Sequence, residues 1–194
     1  MSTKRSRRRR WLGVLLVSGL LVGAGATHNA PKPEHADAST AELDFLDRPL
    51  APVRGKILAV VTSTPMIPGT RKNAGYELTE LARAYYVFQA NGYAVDIASP
   101  RGGTPPVDID EDDMQAVDHR FLRDSVAQVK VAQSKPLSAV DSSEYQAVFF
   151  VGGKGALLDF PDNAEIQRIV RELSGRGVIG AVCHGPAALL HVRD

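Results

Sequence analysis

Along the chain, apolar positions change rhythm in a repeating way. Residues 57–61 form a short unbroken apolar run (Ile57-Leu58-Ala59-Val60-Val61), the pattern of a strand buried on both faces. Residues 76–91 then place Leu78, Leu81, Ala82, Tyr85 and Phe88 at helical spacing, with Gly92 as the stop. A second strand is predicted over 93–98 and a turn over 99–103. Residues 104–118 are acidic and proline-containing and read as an irregular excursion, followed by a helix over about 120–132. A third buried strand falls at 147–151, before Gly152-Gly153-Lys154-Gly155. Asp162 or Asn163 can cap the next helix, where Ile166, Ile169, Val170 and Leu173 line one face and Gly175 or Gly177 ends it. Residues 178–182 make a fourth strand, and Cys183-His184-Gly185-Pro186 opens a last helix.

Buried strands alternating with helices predict a parallel sheet covered on both faces, with right-handed crossovers. The fold class expected is therefore α/β, a three-layer sandwich with a flavodoxin-like sheet. Ligands of such sheets bind outside the carboxyl ends of the strands. The loop after Val61, the glycine loop 152–155 and Cys183–Gly185 all fall there and should meet in one cleft.

Charge changes the picture at the start of the chain. Of 23 basic and 22 acidic side chains, six basic ones and no acid lie in residues 1–26, leaving a mildly acidic body. That body excludes nucleic acid as the expected partner, since phosphate binding needs a basic face. The basic run precedes an apolar stretch of 16 residues, 11–26, interrupted only by Ser18 and ending Ala24-Gly25-Ala26. This is the layout of an export signal, and the stretch is shorter than the roughly 20 residues that span a bilayer. Residues 1–26 are expected to be a signal peptide or membrane anchor and 27–54 a proline-rich linker, with the domain occupying 55–194. The domain would then be periplasmic or otherwise face outward, with attachment through residues 11–26.

One cysteine permits no intramolecular disulfide. Cys183 sits where a strand hands over to a helix, with small neighbours Ala181 and Gly185. A nucleophile on such a turn stands above the sheet, often on a strained backbone, and a helix N-terminus would favour thiolate. The competing reading is a small buried hydrophobe. The adjacent His184 need not touch the thiol through its side chain.

Four segments carry a resemblance. Tyr76 to Leu81 with Gly92, Val95 to Gly103, Val151 to Asn163, and Ala181 to Pro186, in that order, resemble the ThiJ/PfpI superfamily, closest to the branch of glyoxalase III enzymes and heat-shock chaperones. The resemblance implies Cys183 as nucleophile, His184 as proton-transfer partner and Glu80 as the carboxyl that hydrogen-bonds the thiol, Glu77 being one turn too early. It implies Gly152, Gly153 and Lys154 as the oxyanion and substrate-binding loop. It also implies no cofactor and no metal, a small-molecule carbonyl substrate and a homodimer. The expected activity is conversion of methylglyoxal to lactate. Amide or peptide hydrolysis, and a non-enzymatic chaperone or redox-sensing module, are the alternatives.

Two departures stand out. Lys154 replaces the branch's usual histidine, and no acid that could orient His184 follows it before Asp194. The chain therefore reads as C-terminally incomplete, with an open sheet edge prone to self-association.

Overall fold

The computed structural model describes residues 54–193. Five strands, all parallel, make one sheet: β1 (Gly55–Val60), β3 (Tyr93–Ser99), β5 (Lys135–Pro136), β6 (Ala147–Phe150) and β7 (Val178–Ala181). Their spatial order is β5-β3-β1-β6-β7. Without the two-residue β5, the order by chain position is 2-1-3-4, the opening of the flavodoxin arrangement. The order reverses between β1 and β6, so the crevice at this switch point lies over their carboxyl ends.

The apolar runs are buried because both faces of the sheet are covered. Leu58 and Val60 point into one core with Val148, Phe150, Ile166 and Leu173. Ala59 and Val61 point into the other with Val95, Ile97, Leu81, Tyr85 and Phe121. Helix α1 (Leu78–Ala90) and the pair α2 (Ala116–Arg123) and α3 (Ser125–Ala132) cover the second core; α5 (Ala164–Leu173) covers the first. Asn163, one of the two expected caps, starts α5 by accepting from the N–H groups of Glu165 and Ile166.

Three local expectations are corrected. The single helix over 120–132 is two helices that break at Asp124, whose extended backbone (ψ 102) frees its carboxylate to cap α3 at Val126 and Ala127. The excursion is not wholly irregular: β4 (Val107–Asp108) pairs in parallel with β2 (Tyr76–Glu77), setting Glu77 opposite Asp108. The last helix is a five-residue 3-10 turn, Gly185–Leu189. A short helix, α4 (Ala156–Asp159), follows the glycine loop.

At the sheet edge, β7 pairs only with β6 among the described residues, and Val178 is 65% exposed. No helix among the described residues is long and apolar enough to cross a membrane. The signal or anchor of residues 1–26 and nearly all of the linker lie outside the described residues.

Candidate active site

The carboxyl end of β7 runs straight into the reactive turn. Val182 N–H donates to Phe150 O (3.1 Å), holding the strand end against β6, and Gly185 N–H donates to Val182 O (2.7 Å), closing the bend. A side chain at 185 would begin 2.2 Å from Phe150 O, so only glycine allows the chain to fold back so closely. Between these bonds Cys183 is forced to φ 50, the one non-glycine residue at positive φ among those described. A left-handed cysteine costs about 1–3 kcal/mol and persists only where its surroundings impose it. The buried-hydrophobe alternative is thereby excluded: the cysteine is exposed.

Three groups meet the sulfur. His184 Nδ1 lies 3.6 Å from Cys183 Sγ, so the adjacent histidine does reach the thiol. The carboxyl of Glu80, in the first turn of α1, and the backbone N–H groups of Gly153 and His184 lie near enough to the sulfur to act on its charge. Glu80 is itself anchored, its Oε2 accepting from Gly152 N–H at 2.7 Å. A Cβ on Gly152 would lie 2.6 Å from Glu80 Oε2, 2.8 Å from Cys183 Cβ and 2.9 Å from His184 N. Glycine at 152 is what lets α1, the loop after β6 and the cysteine turn converge.

The expectation of a helix-depressed thiol is overturned. The Cys183 pKa is raised, first by partial desolvation of the sulfur against the turn and then by the negative charge and hydrogen bonding of Glu80; the Gly153 and His184 N–H groups pull the other way. The 3-10 turn that replaces the expected helix is too short to develop much of a dipole.

The remaining predicted residues fall around this centre. The loop after β1 joins it through Asp159 of α4, whose carboxylate accepts from Thr62 Oγ1, Ser63 N–H and Thr64 Oγ1 at 2.8–3.0 Å. Asp159 went unread in the sequence, where nothing in its local pattern marks it as a bridge between two loops. Lys154 turns outward to pair with Asp108 at 2.7 Å. Among the described residues no carboxylate hydrogen-bonds the His184 ring; His191 pairs with Asp162 at 2.7 Å on the surface.

A parallel α/β sheet with a strained cysteine elbow at the end of β7, next to the switch-point loop after β6 and close to a glutamate and two backbone donors, defines a class of cysteine-centred α/β proteins. The chain belongs to the DJ-1/PfpI family, whose pattern matches residues 72–193. It is 30% identical over 149 residues to a glutathione-independent glyoxalase of Schizosaccharomyces pombe, covering 73% of this chain and 62% of that protein. It is 27% identical to glyoxalase 3 of Candida albicans, covering 71% and 61%. Among solved structures it resembles the rapid encystment protein of 24 kDa from Francisella tularensis (36% identity, TM-score 0.67, covering 72% and 63%). It also resembles glyoxalase III from Candida albicans (28% identity, TM-score 0.63, covering 72% and 61%). The chain thus spans about three fifths of the length of these relatives.

Proposed function

We propose that the chain is a glyoxalase III-type enzyme that converts methylglyoxal to lactate without glutathione. The observation that carries this reading is the contact of Cys183 with His184, Glu80 and two backbone N–H groups on one strained turn. Relatives named as glutathione-independent glyoxalases add to it.

The chemistry follows from the raised thiol. The raised pKa keeps the proton on the Cys183 thiol at rest, and the Glu80 carboxyl beside it takes that proton as the sulfur attacks. The sulfur adds to the aldehyde carbon, forming an S–C bond while the carbonyl pair moves to oxygen. The N–H groups of Gly153 and His184 meet that developing charge. His184 removes the hydrogen from the former aldehyde carbon as the electrons pass to the neighbouring carbonyl, whose oxygen takes the proton held by Glu80; His184 then returns its proton to that second carbon, the first carbonyl re-forms, and a lactoyl thioester results. Water cleaves the thioester, releasing lactate and the thiol. Every atom is supplied by methylglyoxal, one water and residues of this site. Gly152 holds Glu80 in place.

The alternatives fit less well. A redox sensor needs a standing thiolate, which the raised thiol disfavours, whereas the proposed addition needs one only as the carbonyl is attacked. Amide or peptide hydrolysis draws no support from the relatives reported above, which are named for glyoxalase activity. Export through residues 1–26 remains part of this reading, supported by the basic run and the apolar stretch; N-terminal sequencing of secreted material tests it.

Lactate formation from methylglyoxal is the direct test. Cys183→Ala should lower kcat at least 1000-fold, as loss of a covalent nucleophile does. Equal turnover by the wild type and the variant would overturn the proposal.

A further inference from the structure

Next to the thiol lies a line of charges that the proposed chemistry does not use. Glu77 and Asp108 face each other across the β2–β4 pair. Glu77 also feels the negative charges of Glu80 and Asp110, and one of its oxygens, Oε1, is buried without a hydrogen-bond partner. The cation in this group is Lys154, which directly follows the glycine whose N–H points at the sulfur. Its ammonium is held 2.7 Å from Asp108 Oδ2, and the lysine side chain is 54% exposed against 21% for the aspartate.

An ion pair this exposed adds little to stability. What matters for the cleft is that the pair holds the Lys154 ammonium on Asp108, away from Glu77, Glu80 and Asp110. We propose that the Asp108–Lys154 pair is a charge selector, keeping the mouth of the Cys183 cleft negative so that uncharged α-oxoaldehydes are favoured over anionic ones such as glyoxylate. The inference rests on the proposed carbonyl activity and names the substrate class within it. Lys154 and Asp108 act as specificity residues through the charge they present at the mouth of the cleft, beside Glu77 and Asp110.

Opposite substitutions should move selectivity in opposite directions. Asp108→Asn frees the ammonium and leaves the acids one fewer; Lys154→Gln leaves Asp108 uncompensated. The readout is the ratio of Cys183 alkylation rates by neutral iodoacetamide and anionic iodoacetate, two reagents of nearly the same shape. In the wild-type chain the ratio should exceed that of an uncharged cysteine peptide. Asp108→Asn should lower it by roughly threefold and Lys154→Gln should raise it by roughly threefold, the factor one unit charge gives at about 6 Å in water. The differences should shrink in about 1 M salt, where the screening length is about 3 Å. The kcat/KM ratio for methylglyoxal over glyoxylate should follow the same order.

Equal alkylation ratios in both variants, or shifts that survive high salt, would overturn the charge selector. Alkylation needs no turnover, so a chain that forms no lactate would sink the proposed activity while this arm still decides about the field. If one variant fails to fold, the sign of the other is sufficient, since a purely structural change gives no opposite response to reagent charge.

Discussion

The thiol of Cys183 shows how a single residue is set by opposing forces. Burial and the carboxyl of Glu80 raise its pKa, while the N–H groups of Gly153 and His184 lower it, and the net direction is upward. The thiolate fraction at neutral pH is therefore smaller than for a free cysteine, and iodoacetamide alkylation should keep accelerating past the ordinary thiol range. Glu80→Gln removes the negative charge, so the midpoint of that profile should move down. A stopped-flow pH series checks both; a midpoint that stays put in the variant would contradict Glu80 as a cause. The position of the thiol was legible in the sequence, because a lone cysteine between a buried strand and Gly-Pro has few places to be. Its pKa direction was not, since it depends on Glu80, distant along the chain, and on how short the following turn is.

At the scale of elements, the long apolar runs were readable because a strand buried on both faces leaves little room for other patterns. The pieces that escaped are two-residue strands: β2, β4 and β5 carry too few positions to show a period. The break between α2 and α3 escaped for another reason. Asp124 lies inside a stretch of good helix formers, and only the structure shows its carboxylate capping α3 while also accepting from Tyr86 OH at 3.0 Å. Asp124→Ala should cost about 1 kcal/mol from the lost cap, with a further penalty if the Tyr86 hydroxyl is left without a partner. Urea unfolding measures it, and an unchanged midpoint would show that the cap is not contributing. Asp159 escaped too, since its three donors come from a loop nearly a hundred residues away.

For the whole molecule, the exposed edge is the main consequence. Strand β7 offers one unpaired side among the described residues, with Val178 exposed beside it and Leu190 exposed past the turn. Edges of this kind invite pairing with another chain, and a charge on the strand discourages it. The chain should self-associate in a concentration-dependent way, and Val178→Lys should reduce the associated fraction. Light scattering across a dilution series would show it; a strictly monomeric wild type at high concentration would refute it.

The carboxylate of Asp159 fastens the loop after β1 to the short helix behind the glycine loop, so the two lips of the switch-point crevice are sewn together from within. On the opposite lip, β2 and β4 are joined by two residue pairs and by the surface bond from Lys154 to Asp108. Glu77 N–H also donates to Gly152 O, tying β2 to the glycine loop as Asp159 ties the loop after β1, so an entering aldehyde meets a cleft whose walls are cross-linked by hydrogen bonds.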